Sequence, residues 1–484
     1  MVFSSPIFLF LFLPVVLTLY PVFPGLRLKN LLLLTMSIVF YAWGEALFVF
    51  LMLGSTLMNY ALGLWVDGEP EAARRKWVVG IAVALNIGLL AFFKYANFIV
   101  GNLNPLLAAL KLGVLHLPRV RLPIGISFFT FHALSYVIDI YRRKSRAARS
   151  PAEVALYIFF FPQLIAGPIL RWGAMAPQIA RRFVTRAGFA EGVRRFVGGL
   201  AKKMLIANTV AVPADQIFAL PAAGLSPVLA WFGALCYTLQ IYFDFSGYSD
   251  MAVGLGKMFG FEFMENFNYP YIAKSIKDFW RRWHISLSSW FRDYLYFPLG
   301  GNRGSAGRTY FNLIIVFFLC GLWHGASWTF VVWGLYHGVF LVLERTRFGV
   351  LVDSLPRAVR HAYTLCVVMV GWVLFRANAF PQAMFFLKSM FALGGAAGIH
   401  PSLARYCTNQ VAWSVLAGAV FSMPVWPWFK EFWTKRVEVL PRFLQAPAQI
   451  VGPVLEPLLW TALLLMSAAW LAGGTYNPFI YFRF

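Results

Sequence analysis

The chain has 484 residues, of which 60% are hydrophobic, 18% aromatic and only 13% charged; a soluble globular protein carries about 25% charged residues. That much apolar surface cannot be hidden in one soluble core, because cores stop growing beyond about 250–300 residues. The composition excludes a disordered chain, a collagen-like chain and an ordinary cytosolic enzyme, and leaves an all-α polytopic membrane protein. Lys and Arg number 42 against 19 Asp and Glu, a formal net charge of +23. No basic block stands outside the apolar spans, so the excess is read as basic residues gathered in cytoplasmic loops, with no nucleic-acid partner.

Met1 to Pro6 carry no positive charge, and residues 7–23 are apolar without a small-residue cleavage site. This reads as a first transmembrane helix rather than a removed signal peptide. Further apolar spans lie near 30–45, 47–66, 78–98, 123–141, 196–220, 228–248, 310–327, 328–344, 361–377, 410–428 and 451–473. Together they predict about 11–12 crossings, several of them shorter than the ~20 residues a perpendicular helix needs and so tilted, broken or re-entrant. Arg27 and Lys29, then Arg74, Arg75 and Lys76, then Arg142, Arg143, Lys144, Arg146 and Arg149 occupy alternate loops. One sidedness satisfies all three and places the N-terminus outside and these loops inside.

From Arg142 to Lys203 basic residues outnumber acidic ones 13 to two, and they flank an apolar stretch from Leu156 to Leu170. That pattern predicts a re-entrant or interfacial segment, which survives only where protein buries it or a cavity hydrates it. The segment from Lys274 to Arg308 is basic too. Phe279, Trp283, Trp290 and Tyr294 recur in it at helical spacing, with Lys277, Arg281, His284 and Ser288 on another face. This predicts one amphipathic helix along the membrane surface or across a cavity mouth. The cysteines Cys236, Cys320, Cys366 and Cys407 show neither disulfide nor zinc spacing, and at least the first three read as apolar core.

Among seven histidines, His324 stands out, in Cys320-Gly321-Leu322-Trp323-His324-Gly325 at the break between two apolar half-helices. An imidazole at that depth is costly unless it is paired or lines a wet cavity. It is a candidate for proton transfer or, equally, a hydrogen-bonded packing residue. His284 is the second candidate, with an interfacial, solvated position as its alternative. His337 reads as structural, His132 and His361 as packing or interfacial, and His116 and His400 as loop residues. Asp244 and Asp250, at the end of an apolar span, read first as ion-pair or capping residues. No His or Cys pair has metal-ligand spacing, and neither a serine hydrolase elbow nor a P-loop is present.

Several long motifs occur together in one order. They are Pro123-Ile124-Gly125-Ile126-Ser127-Phe128-Phe129, Asp139-Ile140-Tyr141-Arg142, the run from Phe161 to Pro168, the run from Asp244 to Asp250, the run from Asp278 to Ser288, the run from Tyr294 to Asn302, and the run from Gly321 to Ala326. They resemble the membrane-bound O-acyltransferase superfamily, and within it the bacterial alginate O-acetyltransferase membrane components. The likeness runs from the N-terminus to about residue 380, with His132 where many relatives carry glutamine. It implies a single transmembrane domain over 1–484: N-terminal helices to 120, a motif-bearing core over 121–380 and accessory helices over 381–484, arranged around a central tunnel.

The resemblance further implies His324 as catalytic histidine, His284 as the second polar position, and an acyl-carrier thioester as donor, with acetyl-CoA the first expectation and no permanently bound cofactor. Lys277, Arg281, Arg282 and Arg292 are candidates to hold the donor's phosphates. The acetyl group would pass, through periplasmic or membrane-anchored acetyltransferase partners, onto an exported polysaccharide such as alginate. D-alanyl or other acyl transfer, or a transporter without acyl chemistry, stays open at this point.

Overall fold

A backbone in hydrocarbon must satisfy its own N–H and C=O groups, and a helix does so within one segment. The regular structure of the computed structural model is accordingly helical throughout the described residues, which are 1–221, 224–393, 401–439, 442–474 and 476–478. His400 lies outside them. Seven helices among the described residues are long and apolar enough to cross a membrane: Gly25–Glu45, Phe48–Gly68, Ala72–Ala109, Pro227–Met258, Ala306–His324, Arg357–Arg376 and Val454–Ala472. The shorter apolar helices Phe8–Val22, Ile126–Tyr141 and Trp328–Leu343 account for three more expected spans. Seven helices among the described residues thus meet the length and composition of a full span, and others of the expected 11–12 crossings fall on shorter helices.

The chain forms two compact units. The first comprises residues 1–193 and 252–264, the second 194–251 and 265–483. In the first, Phe3, Phe8, Phe12, Phe40 and Phe161 pack ring on ring. The neighbouring helices Phe48–Gly68 and Ala72–Ala109 are cross-linked by a reciprocal amide pair, Asn59 with Asn86, at 3.1 and 2.8 Å. Such a pair satisfies polar groups that lipid cannot.

The stretch from Leu156 to Leu170 is wholly buried. The helix Pro151–Phe159 ends at Phe160, a four-residue turn Phe161–Leu164 follows, and the backbone then runs irregularly. Protein groups satisfy it. Ser37 Oγ accepts from the Phe161 N–H at 3.1 Å, the Tyr157 hydroxyl donates to the Leu170 carbonyl at 2.8 Å, and the Gln163 amide donates to the Tyr157 carbonyl. The segment expected to be re-entrant or interfacial is thus irregular in its second half and covered by protein throughout.

In the second unit the helix Ala306–His324 turns back at Gly325 and packs along Trp328–Leu343. Ser305 caps the first helix, its Oγ accepting from the Arg308 N–H at 3.3 Å. The amphipathic helix expected across Lys277 to Tyr294 is not continuous. Helix Ile276–Arg282 ends at Trp283, and a second helix, Ile285–Phe291, begins after His284. Among the cysteines, Cys236 and Cys320 are buried as expected, but Cys366 is exposed. It points away from the protein core on an apolar helix, where a small apolar thiol is equally at home.

Candidate functional site

The break between the two short helices is built by backbone hydrogen bonding. The Ile285 N–H donates to the Asn266 carbonyl at 2.9 Å, and the Ser286 N–H to Asn266 Oδ1 at 3.1 Å. One asparagine thus holds two successive N–H groups that follow His284. The Asn268 N–H donates to the Arg282 carbonyl at 3.0 Å on the preceding side. Between these anchors His284 takes a left-handed conformation, φ 43° and ψ 55°. Residues other than glycine seldom sit there, asparagine, aspartate and histidine more often than the rest, and the conformation persists only where surrounding structure over-determines it. The turn removes His284 from the face of Lys277 and Arg281 and buries it completely, whereas those two remain exposed. Burial pushes the His284 imidazolium down, to about 3, so the ring is neutral. Neither ring nitrogen has a hydrogen-bond partner among the described residues.

His324 ends its helix and keeps 4% of its surface open. Its ring lies edge-on to Trp323, Trp333 and Phe375, with centroids at 4.9, 5.0 and 5.2 Å. Trp323 also meets His284, at 6.1 Å, and Phe245 lies edge-on to His284 at 4.6 Å. Two histidines forty residues apart in sequence therefore share one indole. His337 lies behind them, buried against Trp333 at 5.3 Å and Trp280 at 5.1 Å. His324 and His337 thus both lie edge-on to Trp333, each on one arm of the same hairpin. His361 is half-buried, with Nδ1 3.1 Å from the Ala273 carbonyl. His132 is buried in the first unit.

The acidic candidates are ion-pair residues. Asp250 receives Lys202 at 2.6 Å and Arg195 at 2.8 Å, and Arg195 also reaches Glu265. Asp244 pairs with Lys203 at 2.7 Å, both all but sealed from solvent at 1% and 2% exposure. Of the proposed phosphate ligands, Arg282 is committed to Asp278 at 2.9 Å and to the Asn268 carbonyl, and Arg292 to Asp293 at 2.8 Å. Lys277 and Arg281 are exposed and make no ion pair among the described residues, so they alone of the four present uncommitted charge.

The residues that sequence reasoning missed are those whose importance is positional. Asn266 clamps the His284 turn, and Trp323, Trp333, Phe375 and Phe245 wall the rings. The mixed Asn-Phe-Asn-Tyr-Pro composition over 266–270 marks a turn, but nothing in it names its hydrogen-bonding target. The arrangement can place one imidazole for proton transfer and a second, neutral one within the same aromatic wall, a set of groups suited to acid–base chemistry.

A family model described as MBOAT, membrane-bound O-acyltransferase family, matches residues 74–387. The chain belongs to this family and is a membrane O-acyltransferase, which sets aside the transporter reading. It is 42% identical to the "Probable alginate O-acetylase AlgI" of Azotobacter vinelandii, with 100% of both chains covered. It is 38% identical to a peptidoglycan O-acetyltransferase of Helicobacter pylori over 88% of each chain. Similarity at 32% identity extends to a teichoic acid D-alanyltransferase of Bacillus subtilis, over 51% of this chain and 67% of that one.

Proposed function

We propose that the chain takes an acetyl group from a cytoplasmic thioester, acetyl-CoA in the first instance, and passes it across a bacterial inner membrane for O-acetylation of an exported polysaccharide such as alginate. The observation that carries this reading is the pair of buried imidazoles on Trp323, His324 at 4.9 Å and His284 at 6.1 Å. The acceptor class comes from full-length similarity to proteins named as alginate O-acetylases. In this reading the N-terminus faces the periplasm, and the donor approaches from the side where the basic loops gather. Lys277 and Arg281 meet its phosphates first.

His324 accepts the proton of an attacking hydroxyl. The hydroxyl oxygen bonds to the thioester carbonyl carbon, and the tetrahedral intermediate collapses with cleavage of the C–S bond. The leaving thiolate takes the proton back from the imidazolium. His284, neutral and therefore carrying one N–H, stabilises the oxyanion or positions the carbonyl. With so little of either ring exposed, access requires the surrounding indole and phenyl walls to part. The hydroxyl belongs either to a sugar or to a serine of a periplasmic or membrane-anchored acetyltransferase partner.

The test is thioester turnover by purified protein in nanodiscs. His324→Ala is expected to lower the rate by about 10²–10⁴-fold, the worth of a general base. A folded His324→Ala protein that turns over acetyl-CoA at the normal rate overturns the assignment. Mass analysis of the group placed on the exported polymer separates acetyl from D-alanyl transfer.

A further inference from the structure

The first unit contains a cavity of about 810 Å³, within the ~300–1,000 Å³ span of ligand sites. Its walls come from the first turns of Gly25–Glu45, from the loop over 144–150 with the start of Pro151–Phe159, and from Trp172–Ala180. Arg27, Lys144, Arg146 and Arg149 line it. Arg146 is held 3.6 Å from Asp67. Arg27, Lys144 and Arg149 are exposed and make no ion pair among the described residues. Glu153, the acidic residue in the lining, already accepts from the Arg149 N–H at 3.0 Å. Beside Ser145, Ser150 and Asn30, the remaining wall is apolar and includes Leu26, Leu34, Leu156 and Trp172. Asn30 donates to the Ile179 carbonyl at 3.0 Å, and its Oδ1 is left without a partner among the described residues.

A basic loop serving only to orient the chain in the membrane needs water around it and no cavity. Here cations from two separated stretches of sequence converge over leucine and tryptophan walls. That combination is complementary to an amphiphile with a phosphate head, and basic pockets between membrane helices bind such heads. We infer that this cavity is a binding site for an anionic phospholipid. The phosphodiester sits among Arg27, Lys144 and Arg149, and the acyl chains follow the apolar wall. Phosphatidylglycerol has both features and a net negative charge. Coenzyme A shares the phosphate chemistry but lacks the paired acyl chains that the wall would cover. The inference is independent of how the acetyl group is transferred.

The experiment uses the full-length protein, delipidated in detergent. Thermal stabilisation and native mass spectrometry are followed on addition of phosphatidylglycerol, phosphatidylcholine or coenzyme A. Phosphatidylglycerol should bind and raise the melting temperature, and phosphatidylcholine should do neither. Arg27→Gln/Lys144→Gln/Arg149→Gln should weaken phosphatidylglycerol binding by roughly tenfold or more, from the loss of three cation–phosphate contacts. Arg27→Lys/Arg149→Lys should retain it, and Asn30→Asp, which adds a negative charge beside the phosphate, should weaken it. The single exposed substitutions should give the same ordering in smaller steps if the triple variant does not purify. Equal stabilisation by the two lipids, or wild-type binding by the neutralised variants, overturns the proposal. Displacement of phosphatidylglycerol by coenzyme A in the wild type overturns the lipid assignment and gives the cavity to the donor's phosphates.

Discussion

Gly321 and Gly334 stand face to face in the hairpin that carries His324. A Cβ on Gly321 would come within 2.3 Å of the Phe330 carbonyl oxygen and 3.2 Å of Gly334 Cα; one on Gly334 would come within 2.3 Å of the Phe317 carbonyl oxygen. Small residues let two membrane helices approach this closely. The approach sets where the helix Ala306–His324 ends, and therefore where the imidazole lies. Gly321→Ala should force the helices apart at a cost of about 1–3 kcal/mol. A clearly lowered melting temperature together with lost thioester turnover is expected. Unchanged stability and turnover would show that the hairpin relaxes freely.

The left-handed backbone at position 284 separates two roles of that residue. Asparagine tolerates the conformation, whereas a β-branched residue is strained there by about 1–3 kcal/mol. His284→Asn should therefore retain the wild-type melting temperature, and His284→Val should not. If the imidazole N–H serves the oxyanion, His284→Ala should lower turnover by about 10²–10³-fold. His284→Asn, which keeps a donor, should lose less. Equal rates for alanine and asparagine variants of equal fold count against a donor role.

Lys203 and Asp244 form a nearly sealed ion pair at 2.7 Å, and Lys203 also donates to the Pro478 carbonyl. Removing one partner strands a buried charge, at a cost of about 3–5 kcal/mol. Lys203→Met alone should sharply lower thermal stability. Lys203→Met/Asp244→Leu should recover much of it, which a double-mutant cycle in detergent would measure. Additive losses would mean that the two side chains act independently.

Glu344 caps the helix that leads to His284, its carboxylate accepting from the Ile276 N–H at 2.6 Å and the Lys277 N–H at 3.0 Å. Negative charge is favourable at a helix start, so Glu344→Ala should lower the melting temperature and slow turnover. Burial raises this carboxyl above its ordinary 4.5, although the two N–H groups oppose the shift. The folded state thus binds the proton more tightly than the unfolded chain. The contribution of this group to stability is greatest below 4.5 and declines as pH rises through the raised value. The stability of the wild type relative to Glu344→Gln should fall across that window. A difference that rises with pH would contradict the shift.

The membrane class, the helical architecture, the irregularity of the stretch after Leu156 and the candidacy of His324 were all legible along the chain, because each depends on local composition. Apolar runs, charge flanks and a histidine at a glycine-rich break are one-dimensional signals. Helical periodicity misled over Lys277 to Tyr294. Its apolar spacing is real, but the clamp that breaks the helix comes from Asn266, outside the window. The same distance in sequence hid the common indole: nothing near His284 marks Trp323 as its neighbour.

What the order of residues determined by itself was the solvent this protein belongs in, since the cost of placing a side chain in lipid is set by that side chain. It also set which imidazole would be costly enough to need a reason. Tertiary structure alone decided that His284 turns inward, that Asp244 pairs with Lys203 and Asp250 with Lys202 and Arg195, and that Arg282 and Arg292 are already engaged while Lys277 and Arg281 are not. Those outcomes depend on groups brought within a few ångströms from distant parts of the chain, and hydrogen-bond and ion-pair energies fall away too steeply with distance for sequence proximity to stand in for contact.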